Sequence, residues 1–261
     1  MVSAVNLTGM VLQILLSIAV PLGAMIYLVR KKRFSWKAFG IGILVFIIFT
    51  QILEKLLHMA MINPETMTLK WSSNIYLFAL YGALAAGIFE EMGRFLAFKY
   101  VLKKQHSYND GVSLGIGHGG IEAILIGALT AVNVLVIAIL INSGLYDEVI
   151  GLSVPADQAA MLKDQVVHSS FWMYILGGTE RIFTFFIQIA LSLLVLLGVR
   201  NHQFKYVLGA IGLHALLDFF AALYQVKIIP SILIIEGIIL VFAIASLYFI
   251  YRSKGSFSEP S

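Results

Sequence analysis

The chain has 261 residues, of which 60% are hydrophobic and 12% charged, with a mean hydropathy of +0.92. This composition excludes an ordinary water-soluble globular protein, and the lack of cysteine excludes disulfide and thiol chemistry. The net charge of +4 comes from basic residues in the loops, so we interpret it as a topology signal and expect no nucleic-acid partner. The sequence therefore predicts an integral membrane protein.

Seven apolar runs follow one another along the chain. Each is long enough to cross a hydrocarbon core of about 30 Å as a helix. Their unbroken apolar character favours helices over the alternating segments of a β-barrel. We predict an all-α integral membrane protein, a bundle of about seven transmembrane helices, as a single membrane domain over residues 1–261. The predicted spans are roughly 8–29, 38–62, 73–101, 111–142, 169–199, 204–225 and 229–251.

The longest connection between spans covers about residues 143–168, and we expect a short surface helix in it after Pro155. The other connections are short. The first span has no basic residue before it and the cluster "RKKR" behind it, the reverse of a secretory signal peptide. We therefore expect this span to remain as a membrane anchor.

The distribution of lysine and arginine predicts the orientation. Most of the loop residues of these types lie at alternate ends of the seven spans, which we assign to the cytoplasm. They are Arg30, Lys31, Lys32, Arg33, Lys37, Lys99, Lys103, Lys104, Arg200, Lys205, Arg252 and Lys254. Only Lys70, Lys163 and Lys227 lie at the opposite ends. We predict a multi-pass plasma-membrane protein, surrounded by the lipid bilayer, with its N-terminus outside and its C-terminus in the cytoplasm.

Ionisable residues also occur at membrane depth. A charge at the bilayer centre costs about 2.5 to 3.5 kcal/mol on insertion scales, so these side chains should face the interior of the bundle. They are Glu54, Lys55, His58, Glu90, Glu91, Arg94, His118, Glu122, Glu180, Arg181, His214, Asp218 and Glu236.

Besides Glu54 and His58, three spans each carry two of these groups four residues apart, which places both on one helix face, one turn apart. The pairs are Glu90 with Arg94, His118 with Glu122, and His214 with Asp218. The first member of each pair lies at a similar distance from the cytoplasmic edge, roughly 12 to 14 Å at the rise of an α-helix. We therefore predict one polar centre in the cytoplasmic half of the bundle.

Glycine in the fourth span agrees with this centre. Gly111, Gly115 and Gly119 recur every four residues, and the third span carries "GALAAG" directly before its glutamates. Small residues let helix backbones approach closely in lipid. We expect tight helix packing around the polar groups.

Two kinds of chemistry suit these residues. Imidazoles and carboxylates could bind Zn²⁺, whose catalytic sites use three protein ligands and an open position for water. Without a metal, a glutamate could deprotonate water while a histidine stabilises the oxyanion. Either arrangement fits hydrolysis of a peptide bond inside the membrane. The sequence has neither an HExxH motif nor a G-x-S-x-G motif.

Other interpretations involve no catalysis. The same residues could hold helices together in a membrane scaffold, or form the relay of a proton-coupled carrier. Glu54 with His58 fits a packing pair, and Glu180 with Arg181 fits a structural pair. Glu236, alone in the last span, fits a helix contact.

Four motifs follow in order on successive spans: "EEMGR" from residue 90, "HGGIE" from 118, "GGTER" from 177 and "HALLD" from 214. Together they resemble the YhfC family of intramembrane metalloproteases. That family is grouped with type II CAAX prenyl endopeptidases, bacteriocin-processing homologues, PrsW proteases and a non-proteolytic scaffold subunit of γ-secretase. The resemblance implies an intramembrane endopeptidase of the CAAX protease/PrsW-like clan that acts on a membrane protein or peptide.

The resemblance also implies roles for particular residues. Glu90 matches the position proposed to activate water. The other implied catalytic residues are Glu91, Arg94, His118, His214 and Asp218, and the candidate metal ligands are Glu90, His118, Glu122 and His214.

The sequence departs from the CAAX enzymes at two places. Only two residues separate Glu91 from Arg94, where those enzymes have three, and the second motif lacks the aromatic residue that they carry four positions before the histidine. Glu91 itself points about 100° away from Glu90 around the helix.

Overall fold

A computed structural model describes residues 1–66 and 68–257. Nine helices are present in this part of the chain, and seven of them are long and apolar enough to cross a membrane, as predicted. The other two, α5 and α6, lie in the predicted long connection, and α6 is the helix expected after Pro155. The helices are α1 Ala4–Arg30, α2 Trp36–Met61, α3 Ile75–Val101, α4 Tyr108–Ser143, α5 Tyr146–Val149, α6 Ala156–His168, α7 Phe171–Arg200, α8 Lys205–Gln225 and α9 Ile232–Phe257.

Local sequence explains several helix boundaries. The Asn74 side chain accepts hydrogen bonds from the backbone of Tyr76 and Leu77, at 2.9 and 3.2 Å, and so caps the start of α3. Gly144 ends α4 in the left-handed conformation, with φ of 79°. Two short antiparallel strands, β1 Ile62–Asn63 and β2 Thr68–Leu69, lie in the connection between α2 and α3.

Three of the long helices contain π-helical stretches. These are Phe46–Glu54 in α2, Ala97–Val101 at the end of α3 and Ala123–Ala128 in α4. Such stretches are rare in proteins, and those that occur often lie near functional sites. In α2 and α3 they lie beside the residues that form the polar centre described below.

The chain forms two compact units. Unit 1 comprises Met1–Gly23 and Glu122–Ile182. Its core includes Met10, Ala138 and Tyr174, which are buried together. The N-terminus is attached to α4 within this unit, because Val2 exchanges two hydrogen bonds with the Asn142 side chain, at 2.7 and 2.9 Å.

Unit 2 comprises Ala24–Ile121 and Phe183–Ser261. The predicted glycine row of α4 packs on α7: a Cβ atom at Gly111, Gly115 or Gly119 would lie 3.0 Å or less from a side-chain or backbone atom of that helix. Gly117, on another face of α4, packs against the backbone carbonyl of Phe39 in α2. The expected close packing around α4 is therefore confirmed.

The third span also packs through glycine. A Cβ atom at Gly87, in the "GALAAG" run of α3, would lie 2.9 Å from the Ile211 carbonyl oxygen of α8. This close approach places α3 beside α8 at a point one turn before Glu90. It also brings the acidic motif of α3 near His214, which lies on the same helix as Ile211.

Candidate active site

The Glu90 carboxylate lies at the centre of a buried polar cluster in unit 2. Its Oε2 atom is 2.8 Å from His118 Nε2 on α4 and 3.9 Å from His214 Nε2 on α8. The Gln188 side chain of α7 donates a hydrogen bond to the same oxygen, at 3.4 Å. Four helices therefore place polar groups around one carboxylate, as the matching depths of the motifs predict for three of them.

Arg94 lies between the two glutamates of its motif and is completely buried. Its guanidinium donates to Glu90 Oε2 at 3.4 Å, and also forms close hydrogen bonds with Glu91 and Gln188. At about 100° per residue, Arg94 stands about 40° from Glu90 and 60° from Glu91 around the helix, so one guanidinium reaches both. The predicted Glu90–Arg94 pair is present, and Glu91 shares it.

Glu91 joins the cluster, although it lies on a different part of the helix face from Glu90. Its Oε1 atom accepts a hydrogen bond from His214 Nδ1 at 2.7 Å, in addition to the one from Arg94. The side chain is fully buried. Rotation around a single helix axis could not reveal this contact, because α8 brings the histidine to that side of α3.

His214 faces three carboxylates. With Nδ1 bonded to Glu91, its Nε2 atom points toward Asp218 Oδ2 at 3.4 Å and Glu90 Oε2 at 3.9 Å. The Asp218 side chain is 35% exposed, so it is the most accessible group of the cluster. The i,i+4 spacing of "HALLD" thus forms the predicted pair.

The second imidazole, His118, is held between α2 and α3. Its ring packs edge-on against Phe46, with the centroids 5.2 Å apart, and Gly42 packs against its backbone nitrogen. Its Nε2 contacts Glu90, whereas its buried Nδ1 has no hydrogen-bond partner within the described ranges. The contact with Glu90 therefore determines the orientation of the imidazole.

Gln188 belongs to the cluster but is not among the residues predicted from the sequence. The prediction rests on ionisable residues at membrane depth, and the glutamine amide is neutral. The available signal was a glutamine inside the apolar run "FFIQIALSLL" of the fifth predicted span. Gln188 is buried, and its amide bridges Arg94 and Glu90.

The remaining membrane-depth residues have other partners. Glu122 lies one turn beyond His118 along α4 and belongs to unit 1, where it is buried and forms an ion pair with Arg181 at 3.4 Å. Arg181 also pairs with Glu180, as expected. The Glu54 carboxylate lies 3.2 Å from His58, which confirms that packing pair. Glu236 is buried in α9.

The charge balance of the cluster is uneven. Glu90, Glu91 and Asp218 are three carboxylates, and Arg94 supplies one guanidinium, so two negative charges remain if both imidazoles are neutral. Uncompensated charge in a low-dielectric interior is costly. Protonated imidazoles or a divalent cation would restore the balance, and both fit the chemistry of these residues.

Comparison with known proteins identifies the family of this chain. Residues 16–239 match the family described as YhfC intramembrane metalloprotease. The chain is 38% identical over 238 residues to "Uncharacterized membrane protein YhfC" of Bacillus subtilis (strain 168), covering 91% of this chain and 92% of that protein. No solved structure matches. The chain is therefore a multi-pass membrane protein that belongs to the YhfC intramembrane metalloprotease family.

Proposed function

We propose that this protein is an intramembrane endopeptidase that hydrolyses a peptide bond in a membrane-associated protein or peptide. The observation that carries the proposal is the buried Glu90 carboxylate, with one imidazole at 2.8 Å and a second at 3.9 Å, supplied by two other helices. Polar residues in a membrane interior are retained at a cost and commonly serve function. The family description supports the reaction class.

Glu90 is the proposed general base. A base must be held within hydrogen-bond reach of the water that it deprotonates. Arg94 and Gln188 both donate to Glu90 Oε2, at 3.4 Å, so the carboxylate is oriented from two sides. Its proton is then available for the leaving amine of the cleaved peptide.

The two histidines suit the developing oxyanion. His214 is held by Glu91 through Nδ1, and its Nε2 faces the more open side of the cluster, beside the partly exposed Asp218. His118 of α4 is held by Glu90 of α3 and by the ring of Phe46 in α2. Donors fixed in advance stabilise a transition-state charge without reorganisation. We propose that an Nε2–H of this pair binds the oxyanion when no metal is present.

The residues also fit a metal ion, and Zn²⁺ is the one we propose. Two ligands of a tetrahedral Zn²⁺, each about 2.1 Å from the ion, lie about 3.4 Å apart. The distances from Glu90 Oε2 to His118 Nε2 and His214 Nε2, 2.8 and 3.9 Å, bracket that value. The His214 Nδ1 bond to Glu91 is the outer contact typical of a histidine ligand.

Glu90, His118 and His214 would hold the ion. A bound Zn²⁺ supplies a water that is acidic near neutral pH and polarises the peptide carbonyl. Glu91 and Arg94 would then orient His214 and Glu90. The net negative charge of the cluster favours a cation.

Cleavage by purified protein in liposomes tests the proposal. Membrane proteins of an expression host lacking the protein would be co-reconstituted with wild type or with the Glu90→Gln variant, and new peptide termini identified by mass spectrometry. We expect new termini with wild type and their loss with Glu90→Gln, because an amide cannot accept the proton.

Glu54→Gln is the matched control, since Glu54 is an equally buried glutamate of unit 2 that pairs with a different histidine, His58. Cleavage should persist in this variant. Identical termini from wild type and Glu90→Gln would contradict the proposal.

Metal analysis tests the cofactor separately. We expect one zinc per purified chain, lost in His118→Ala and His214→Ala and retained in His58→Ala. Zinc that remains in both site variants would exclude these residues as ligands. Absence of zinc together with retained cleavage would assign the reaction to the metal-free mechanism with Glu90 as base.

A scaffold is the second candidate function, because the cluster itself ties α3, α4, α7 and α8 together through Glu90, Arg94 and Gln188. For a scaffold, Glu90→Gln would lower the thermal stability and wild type would show no cleavage of any membrane protein. For a peptidase, Glu90→Gln would retain the helical content of wild type and lose only cleavage.

A further inference from the structure

A cavity of about 630 Å³ opens within unit 2, away from the Glu90 cluster. Its walls come from the end of α1, the start of α4, the middle of α7 and the end of α9. The volume falls in the range of about 300 to 1,000 Å³ that is usual for small-molecule sites. It lies at the helix ends that carry most of the lysine and arginine residues, which we call the basic end.

The cavity has two chemically different parts. One part is apolar, with Ile116, Phe186 and Leu247 among its lining residues. The other carries two cations, Arg33 from the connection after α1 and Lys254 from the end of α9. A cationic mouth above an apolar interior matches a molecule with an anionic head and a hydrocarbon tail.

The two cations are available to a ligand. Both are exposed, and neither side chain forms a hydrogen bond or an ion pair with any residue in the ranges 1–66 and 68–257. None of the described lining residues is acidic. Arginine binds phosphate through paired hydrogen bonds, and lysine adds a point charge.

The walls of the mouth are held in place by contacts of their own. The Arg200 side chain donates a hydrogen bond to the Phe257 carbonyl oxygen at 2.9 Å and lies over its ring. Tyr108 donates to the Ile250 carbonyl oxygen at 2.8 Å and packs against Phe257. The cavity is therefore a formed site, closed on one side by the anchored last turn of α9.

We propose that this cavity binds an anionic phospholipid, with its phosphodiester between Arg33 and Lys254 and the upper part of one acyl chain along the apolar wall. Basic pockets between transmembrane helices are suited to anionic head groups. The proposal is independent of the peptidase function, because no residue of the Glu90 cluster lines the cavity.

Lipid adducts of the purified full chain in a neutral detergent test the proposal. Phosphatidylglycerol would be titrated and the bound fraction measured by native mass spectrometry, with phosphatidylcholine and inorganic phosphate in parallel. We expect phosphatidylglycerol to bind, phosphatidylcholine to bind much more weakly, and millimolar phosphate to leave the lipid bound.

Charge variants locate the head group. The double variant Arg33→Gln/Lys254→Gln should bind phosphatidylglycerol more weakly by about tenfold or more. The matched control, Lys31→Gln/Arg252→Gln, removes two exposed charges from the same end outside the cavity and should bind as wild type does. Equal losses in both double variants would overturn the site, because they would indicate general attraction to the basic end.

A filling variant locates the tail. Ala24 lines the cavity, so Ala24→Trp should occupy part of it and weaken phosphatidylglycerol binding while both cations remain. If inorganic phosphate competes with the lipid and Ala24→Trp binds lipid normally, the site is one for small anions and the lipid proposal is wrong.

Discussion

Arg94 is the residue whose loss should most destabilise the polar centre. It is completely buried and contacts Glu90, Glu91 and Gln188. Replacement by glutamine removes the only guanidinium of the cluster and leaves the two carboxylates facing each other across its site. Removing one partner of a buried ion pair typically costs about 3 to 5 kcal/mol. That is a large part of a total stability of about 5 to 15 kcal/mol.

The two histidines limit the loss of stability in this variant. In the Arg94→Gln variant, Glu90 keeps His118 at 2.8 Å and Glu91 keeps His214 at 2.7 Å, so neither carboxylate is left without a polar contact. We therefore expect a destabilisation near the lower end, about 3 kcal/mol. Replacing Glu91 by glutamine as well should recover part of the lost stability, because the cluster then has the same formal charge as in wild type.

Unfolding of purified protein by SDS titration in mixed micelles, followed by circular dichroism, measures this effect. The variants are Arg94→Gln, Glu91→Gln and the double variant, whose destabilisation should be less than the sum of the single ones by about 0.5 to 3 kcal/mol. Arg252→Gln is the control, because Arg252 is exposed and an exposed charge contributes at most about 1 kcal/mol. An Arg94→Gln variant within about 0.5 kcal/mol of wild type, or additive variants, would refute the reasoning.

Three further outcomes can be checked. In the same titration, Gly117→Ala should lower the stability of the protein by about 1 to 3 kcal/mol, because the new methyl group would overlap a carbonyl oxygen of α2. The control Gly209→Ala, where the methyl group would face open space, should be neutral or slightly stabilising. The chain has no cysteine of its own, so single cysteines can report the orientation. In right-side-out vesicles, an impermeant maleimide should label Ser3→Cys and leave Ser256→Cys unlabelled. The reverse pattern would contradict the predicted orientation. Gln188→Leu should cut the cleavage rate by about tenfold while zinc content stays unchanged, since Glu90 would lose an orienting donor; an unchanged rate would remove Gln188 from the site.

Sequence patterns predict the fold closely because the bilayer limits the choices. Apolar runs long enough to cross it can satisfy their backbone only as helices, and the seven predicted spans coincide with α1 to α4 and α7 to α9. The ends differ by a few residues, as at α4, which is predicted from residue 111 and begins at Tyr108. At this end the polar residues Asn109 and Asp110 are helical, so hydropathy alone places the start of α4 too far inside.

The pairs of the candidate site were predictable where both members lie on one helix. Four-residue spacing predicts Glu90 with Arg94 and His214 with Asp218, and both contacts are present. The packing role of the glycines in α4 and α3 was also predictable, because only small side chains allow close backbone approach.

Contacts between helices depend on rotation and register, which no local pattern records. The His214–Glu91 hydrogen bond and the place of Gln188 exist because Gly87 brings α8 against α3, and Gly115 and Gly119 bring α7 against α4. Within unit 1, the Glu122 carboxylate pairs with Arg181 of α7, a partner that the spacing in α4 does not indicate. The sequence by itself determined seven membrane helices and their polar faces, since hydrophobic length and helical periodicity are local properties. Only the tertiary structure decided which polar groups meet, because that requires the distances between helix axes.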